Sequence, residues 1–218
     1  MKLFVDTANV KEIETLAALG ILDGVTTNPS LLAKESGDYR QILKQMCQLV
    51  QGPVSAEVVA TDTEGMLREG RDLASIDEHI VIKVPFTRDG VRACKTLSSE
   101  GQRVNVTLIF SAAQAWLAAK VGAAYVSPFV GRLDDIGTTG MNLIREIVEI
   151  FDNAEFPTEV LVASIRGPIH LIESARIGAD VVTAPPAVID QCFKHPLTDS
   201  GLARFLKDWE QAQAAKTA

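Results

Sequence analysis

A lysine stands in the middle of an apolar, β-branched run, VIKVPF, from Val81 to Phe86. Such a run is typical of a strand buried on both faces, whereas lysine is among the residues least often fully buried. An ordinary lysine is neutral in only about one molecule in a few thousand at pH 7, but apolar surroundings disfavour its charged form. A neutral lysine amine can add to a ketone and form a Schiff base. Once protonated, that iminium withdraws electrons from the adjacent carbon, as making or breaking a C–C bond beside a carbonyl requires.

Polar side chains also stand late in the other short apolar runs, namely Asp6, Thr26, Asn28, Glu57, Asn105, Thr107, Ser127, Ser164 and Arg166. In Schiff-base chemistry, Glu57 and Thr107 could hold the water that leaves and returns, and Asp6 could accept a proton from a substrate hydroxyl. Asn28 and Asn105 suit sugar hydroxyls, because an amide both donates and accepts hydrogen bonds. These residue types therefore predict chemistry on a hydroxylated carbonyl compound.

Repeated strands and helices must bring these distant residues together. Eight β-branched runs recur, in the order LFVDT, GVTTN, VSAEVVA, IVIKVP, VNVTLIF, AYVSPF, EVLVAS and DVVTAPP. Between them lie helical patterns, such as Val10 to Leu19 before Gly20, and a face formed by Ile144, Ile147, Val148 and Phe151. Apolar strands that alternate with helices predict a parallel sheet. Eight such units predict an α/β fold of the closed (β/α)8 barrel type, in which the strand ends converge on one face.

We expect one barrel domain over residues 1–218, since no linker or low-complexity tract divides the chain. Thr61 with Glu64, and Ser111 with Gln114, predict capping boxes at the starts of helices that follow strands. A C-terminal helix is expected over about residues 199–214. Its apolar stripe could cover its own barrel or that of a neighbouring subunit; the stripe comprises Leu202, Phe205, Leu206 and Trp209.

Each polar residue, taken singly, also has a plainer interpretation. A lone lysine in a strand is commonly a snorkelling edge residue or half of a buried ion pair, for which Glu57 would be the partner. Asp6 could be the N-cap of a helix in DTANVKEIE, and TTNPS could be a turn that starts a helix. These alternatives do not support one another, whereas the Schiff-base hypothesis uses all the residues at equivalent strand ends.

The bulk composition disfavours several other classes of function. The 218 residues carry a net charge of −7 and no basic run, so a nucleic-acid partner is not expected. No apolar run has membrane-spanning length and no signal peptide is evident, which predicts a cytoplasmic location without a membrane partner. Cys47, Cys94 and Cys192 are far apart and predict free thiols, and the scattered histidines give little support for a metal site.

The motifs DTANVKEI, GVTTNPSL, AEVVATDTEGM, VIKVPFT, NVTLIFSAAQA, YVSPFVGRLDD and VASIRG resemble the transaldolase family, in its short subfamily that also contains fructose-6-phosphate aldolases. The resemblance runs from Leu3 to about Trp209. It implies a (β/α)8 barrel that acts on sugar phosphates without a metal or organic cofactor. It places the Schiff base at Lys83, the acid/base role at Asp6 and the water-holding role at Glu57 and Thr107. The implied substrate-binding residues are Thr26, Asn28, Asn105, Ser127 and Phe129, with Arg132, Ser164 and Arg166 for the phosphate.

The phosphate assignment has some physical support in the residues themselves. Arg166 follows a strand and precedes the helical PIHLIESARIG, where backbone N–H groups and a guanidinium would meet. Arg132 has a competing interpretation as the salt-bridge partner of Asp134 or Asp135.

Two positions bear on which reaction the resemblance implies. The aldolases carry glutamine where this chain has Glu57 and tyrosine where it has Phe129, so the resemblance favours transaldolase activity in the pentose phosphate pathway. The alternatives are an aldolase that releases free dihydroxyacetone and a non-catalytic barrel that only binds phosphosugars. The resemblance also implies a homo-oligomer, a decamer in which the C-terminal helix reaches an adjacent subunit.

Overall fold

Eight parallel strands form a closed barrel in chain order, as the alternating pattern predicts. The computed structural model describes residues 1–217. Its strands are β1 (Lys2–Asp6), β2 (Gly24–Thr26), β3 (Val54–Glu57), β4 (Ile80–Pro85), β5 (Val104–Ile109), β6 (Tyr125–Pro128), β7 (Glu159–Val162) and β8 (Val181–Ala184). Strand β8 pairs with β1 and closes the barrel. The protein is therefore a (β/α)8 barrel.

The helices lie between and after these strands. They are α1 (Val10–Ala17), α2 (Pro29–Leu32), α3 (Tyr39–Val50), α4 (Thr63–Ala74), α5 (Arg88–Ser99), α6 (Ala112–Lys120), α7 (Val130–Asp134), α8 (Gly140–Ala154), α9 (Pro168–Ile177), α10 (Pro186–Cys192) and α11 (Pro196–Thr217). Helix α1 ends two residues before the expected Leu19, in a turn that closes at Gly20 with φ +70°. Helix α11 is longer at both ends than the expected 199–214.

One of the two expected capping boxes is wrong and the other is partly formed. Asp62, not Thr61, is the N-cap of α4, because its carboxylate accepts a hydrogen bond from the Gly65 N–H at 2.9 Å. Ser111 does cap α6 by accepting from the Gln114 N–H at 3.3 Å. The Gln114 side chain, however, accepts from the backbone N–H of Phe110, one residue before the position that a capping box requires.

Alternate residues of each strand point into the barrel, where they form layers. The layer nearer the N-terminal ends of the strands is apolar, and the layer at their C-terminal ends is polar. A small buried cluster within the barrel contains Phe4, Val81, Tyr125, Leu161, Ala163 and Val181. Two residues further along four of these strands stand Asp6, Lys83, Ser127 and Thr183. A larger apolar cluster packs the helices against the outside of the strands. The apolar layer thus closes the barrel beneath the polar side chains at the C-terminal ends of the strands.

Two further features concern thiols and membranes. All three cysteines are free, as expected, and burial raises the pKa of Cys47 to about 12 and that of Cys94 to about 11. Within residues 1–217, every helix is too short or too polar to span a membrane.

Candidate active site

Most of the predicted site residues line two adjoining cavities at the C-terminal ends of the strands. The first, of about 240 Å³, is lined by Asp6, Thr26, Asn28, Lys83, Ser127, Phe129, Arg132, Ser164 and Arg166, together with Ala163 and Thr183, which the sequence analysis did not select. The second shares Asn28, Lys83, Phe129 and Arg132 with the first and adds Glu57 and Thr107. Only Asn105 of the predicted set lines neither cavity.

Lys83 is buried, with 5% of its surface exposed, and its amine lies among oxygen atoms. In the sheet, Lys83 is paired with Glu57 on β3 and Asn105 on β5. Its Nζ lies 3.0 Å from Oε2 of Glu57 and donates to the carbonyl oxygen of Thr27 at 3.0 Å. The alternative of a snorkelling edge residue is wrong, because the barrel has no edge and the amine is buried. The ion pair with Glu57 is present, and both partners line the second cavity.

Asp6 lies at the end of a directed chain of hydroxyl groups. The Thr26 hydroxyl donates to Oδ1 of Asp6 at 2.8 Å, and Oγ1 of Thr183 lies 2.6 Å from that of Thr26. A threonine hydroxyl has one proton. Because Thr26 gives its proton to Asp6, Thr183 must donate to Thr26. The Thr26 hydroxyl is therefore committed to orienting Asp6, although the sequence analysis assigned Thr26 to substrate binding.

The pKa of Asp6 is raised above its ordinary value. Burial is the main cause, and the hydrogen bond from Thr26 and the positive charge of Lys83 oppose it only in part. The alternative in which Asp6 caps a helix is wrong, because Asn9 is the N-cap of α1 and accepts from the N–H groups of Lys11 and Glu12. Asp6 is thus a carboxyl group with a cavity on one side and an oriented hydroxyl on the other.

Asn105 is held at both ends of its amide. Its Nδ2 donates to the Ser55 hydroxyl at 3.2 Å, and its Oδ1 accepts from the Ser127 hydroxyl at 2.7 Å. All three residues are buried. The network fixes the orientation of the amide, and Lys83 is the neighbour of Asn105 in the sheet. Ser55 was not selected from the sequence, although it stands on β3 two residues before Glu57.

Asn28 and Thr107 also line the cavities, and they differ in whether their polar side-chain atoms already have hydrogen-bond partners. Asn28 caps α2, because its Oδ1 accepts from the Leu31 N–H at 3.0 Å, so the expected helix-starting turn in TTNPS is present. Its amide NH₂ remains to bind a hydroxyl. Among the described residues, the Thr107 hydroxyl is a buried polar atom without a hydrogen-bond partner. A buried hydroxyl of this kind needs a partner from water or ligand.

Two arginines bring positive charge to the mouth of the first cavity. The guanidinium of Arg132 lies over the Phe129 ring, 4.9 Å from its centroid, and not against Asp134 or Asp135, as the competing interpretation of Arg132 required. Asp135 instead contacts Arg166, with 2.7 Å between Oδ2 and Nη2. The Phe129 ring also packs edge-on against Phe110, with centroids 5.8 Å apart. The exposed guanidiniums of Arg132 and Arg166 are available to an anionic substituent.

Another possible kind of site is a cluster of side chains that could bind a metal ion. Within residues 1–217, no group of three or more His, Cys, Asp or Glu side chains could hold a metal ion. Of the residues lining the first cavity that the sequence analysis missed, Thr183 is the one with a polar side chain. It stands late in the run DVVTAPP, so the same rule that selected Thr26 and Ser127 could have found it.

Comparisons with known proteins identify a protein family and several relatives to which this chain is similar. The family model described as Transaldolase/Fructose-6-phosphate aldolase matches residues 3–217. A probable transaldolase of Rhodospirillum centenum is 63% identical over 212 residues, which cover 97% of this chain and 92% of the relative. One of Anaeromyxobacter sp. (strain K) is 60% identical over 215 residues and 99% of each chain. One of Kosmotoga olearia is 58% identical over 211 residues and 97% of each chain.

Proposed function

The chain belongs to the transaldolase/fructose-6-phosphate aldolase family of enzymes, and from this we propose that it is a transaldolase. It transfers a dihydroxyacetone unit from sedoheptulose 7-phosphate or fructose 6-phosphate to an aldose phosphate. The observation that carries the proposal is the buried Lys83 amine, which faces a cavity lined by a carboxyl group, Asp6, and by two arginines. The same proposal places the reaction in the cytoplasm, in the pentose phosphate pathway.

The reaction begins on the amine of Lys83. Glu57, 3.0 Å away, accepts a proton from the ammonium, and the neutral amine adds to the C2 ketone of the donor. Proton transfer and loss of one water give the protonated Schiff base. Glu57 and the unpartnered Thr107 hydroxyl line one cavity with Lys83 and hold that water. Asn105 lines neither cavity and is fixed by Ser55 and Ser127. We therefore assign it to holding the strand beside Lys83 rather than to contact with the sugar.

Bond cleavage then depends on Asp6. Its carboxylate accepts the proton of the C4 hydroxyl, and the C3–C4 electron pair moves into the iminium. An aldose phosphate leaves, and a three-carbon enamine remains on Lys83. The enamine carbon adds to the aldehyde of the acceptor, and water hydrolyses the new Schiff base. Arg132, Ser164 and Arg166 line the same cavity and bind the phosphate groups of donor and acceptor.

A coupled assay tests the reaction class. With erythrose 4-phosphate as acceptor, we expect fructose 6-phosphate to be consumed and glyceraldehyde 3-phosphate to form in equal amount. Without acceptor, consumption should stop after about one equivalent per site. Continued release of dihydroxyacetone without acceptor would instead identify the second candidate, a fructose-6-phosphate aldolase.

Phe129→Tyr is expected to shift the enzyme toward release of dihydroxyacetone. The ring lines both cavities with Lys83, and a phenol there can donate a proton to the enamine or orient a water. A tenfold change in partitioning needs about 1.4 kcal/mol, within the range of one hydrogen bond. Fructose 6-phosphate is supplied without acceptor, and dihydroxyacetone is measured.

Phe110→Tyr is the matched control, because Phe110 contacts Phe129 but lines neither cavity. Its partitioning should equal that of the unmodified enzyme. If Phe129→Tyr keeps its transfer activity and releases no more dihydroxyacetone than the unmodified enzyme, Phe129 does not set the preference for transfer.

We also propose a homo-oligomer, a decamer in which α11 packs on a neighbouring subunit. The stripe on α11 does not cover its own barrel, because Leu202, Phe205, Leu206 and Trp209 are each 56–71% exposed. Deletion of the chain from Gly201 onward is expected to reduce the molar mass measured by light scattering to that of smaller species. Phe205→Asp should weaken the assembly, whereas Lys207→Asp, on the opposite face of the helix, should not. An unchanged mass after the deletion would reject the role of α11.

A further inference from the structure

The loop between β7 and α9 carries two of the proposed phosphate ligands, Ser164 and Arg166, and packs closely against α7. Ser164 has a φ of +62°, a left-handed conformation that is uncommon for residues other than glycine. The N–H of Gly131 donates to the Ser164 carbonyl at 3.0 Å. A Cβ at Gly131 would lie 2.1 Å from that oxygen and 2.9 Å from Cγ of Arg166. The path of the loop is therefore held by contacts rather than by its own conformational preference.

His170, in the first turn of α9, contacts this loop from outside the two cavities. Its ring is half-buried, and its Nδ1 accepts a hydrogen bond from the backbone N–H of Arg166 at 3.2 Å. Its Nε2 lies 2.9 Å from Oδ2 of Asp134, and Oδ1 of Asp134 accepts from the Gly140 N–H at 2.8 Å. His170 lines neither cavity of the site.

The direction of these hydrogen bonds defines the form of the ring. A backbone N–H can only donate, so Nδ1 must be the unprotonated nitrogen, and Nε2 must carry the proton that it donates to Asp134. Asp134 selects this tautomer and holds the ring plane, as carboxylates do for other oriented histidines. Asp134 is itself held at the start of α8 by the Gly140 amide. A chain of contacts thus runs from α8 through Asp134 and His170 to the backbone of Arg166.

We infer that His170, oriented by Asp134, is a positioning residue for binding of the phosphate group, because it holds the backbone from which the Arg166 guanidinium extends into the cavity. Asp135 holds the same guanidinium from the surface, at 2.7 Å. The His170 contact fixes the backbone at Arg166, so less backbone freedom is lost when a phosphate binds and binding costs less entropy. This inference rests on the proposed function, since it assigns His170 to the phosphate subsite of that reaction.

A purely structural role for His170 makes a different prediction. If the ring only stabilised the start of α9, its loss would lower the activity toward every substrate by the same factor. If it positions Arg166, the loss falls on substrates that carry phosphate and spares those that do not. The KM for fructose 6-phosphate should then rise while kcat stays nearly constant, because the effect lies in binding rather than in chemistry.

Three substitutions separate the two contacts of the ring. His170→Phe keeps the ring but removes both hydrogen bonds. His170→Asn keeps an acceptor near the position of Nδ1, and His170→Gln keeps a donor near the position of Nε2. With fructose 6-phosphate we expect the KM of His170→Phe to rise about tenfold, the loss of about one hydrogen bond to a site that binds a charged group. His170→Asn should recover most of this loss and His170→Gln little of it. Turnover of unphosphorylated fructose, at saturating concentration, should stay within about twofold of the unmodified enzyme.

Titration with inorganic phosphate, followed by calorimetry, provides a readout that does not depend on catalysis. The unmodified protein should bind phosphate more tightly than Arg166→Ala, and His170→Phe should lose about tenfold in affinity. If the protein binds phosphate in this order but turns over no fructose 6-phosphate, the proposed function fails and the inference stands. Equal losses for fructose and fructose 6-phosphate, no recovery in His170→Asn, or phosphate binding that is insensitive to Arg166→Ala would each overturn it. Should His170→Phe not fold, the comparison of the Asn and Gln variants decides the question.

Discussion

Lys83→Met is expected to abolish turnover, with a loss of at least about 10⁴-fold, because no other group in the cavity can form the covalent intermediate. Borohydride treatment in the presence of fructose 6-phosphate should fix substrate carbon to the unmodified protein, on Lys83, and leave this variant unlabelled. Methionine has a similar length and no amine, so it fills the same space without the nucleophile. The measurement is the mass of the intact chain and of its peptides after reduction.

The controls for Lys83→Met address folding and selectivity. Removal of the amine leaves the Glu57 carboxylate without its partner at 3.0 Å, which can lower stability. The double variant Lys83→Met with Glu57→Gln removes that charge, and it should also be inactive while unfolding at a higher temperature than the single variant. Lys120→Met, on an exposed position of α6, should be labelled and active. An adduct on any lysine other than Lys83 would contradict the mechanism.

Asp6→Asn is expected to lower kcat by about 10²–10⁴-fold while the Schiff base still forms. The amide keeps an oxygen that accepts from the Thr26 hydroxyl, but it cannot accept the C4 proton. Borohydride labelling of Lys83 should therefore continue in a variant that hardly cleaves its substrate. Rapid quenching with borohydride, with label per chain compared against product formed, makes the measurement. Equal loss of labelling and of turnover would show instead that Asp6 is needed to form the Schiff base.

The raised pKa of Asp6 also predicts how activity and stability vary with pH. Asp6 accepts a proton only when it is ionised, so kcat should fall with decreasing pH through a pKa above the ordinary value of 3.8. The other charged groups at the site are Lys83, Glu57, Arg132 and Arg166. Of these, Lys83 opposes the rise caused by burial.

The sign of the stability effect is opposite to that of a salt-bridged aspartate. Folding disfavours the ionised form of Asp6, so this group destabilises the protein above its folded pKa and has no effect below its unfolded pKa. Asp6→Asn should therefore raise the melting temperature at pH 7, and the gain should shrink as the pH approaches 4. A lower melting temperature at pH 7 would show that the ionised carboxylate is stabilised by its neighbours. Thr26→Ser is the matched control, because it keeps the hydroxyl that donates to Asp6. Its melting temperature should depend on pH as that of the unmodified protein does.

The sequence by itself determined the barrel and the types of residue at its mouth. Apolar runs such as VNVTLIF, alternating with amphipathic helices, can bury both faces only in a parallel sheet covered by helices. Eight strands of this kind are the number that closes such a sheet into a (β/α)8 barrel. Since the side chains of a strand alternate and parallel strands end on one face, Lys83, Asp6 and Glu57 had to come together wherever they stand in the chain. These are regularities of the backbone, and they can be derived from spacing alone.

Only the tertiary structure decided which partner each polar group contacts. Arg166 pairs with Asp135 while Arg132 lies over Phe129. The salt bridge that the sequence analysis considered as an alternative joined Arg132 to Asp134 or Asp135 instead. Thr183 stands 157 residues after Thr26 in the chain. It reaches Asp6 through Thr26 only because β8 pairs with β1 and closes the barrel. Hydrogen bonds depend on distances and angles at the scale of tenths of an ångström, which the packing of several elements sets together. Residue spacing carries no such information, so these contacts could not be predicted from the order of the residues.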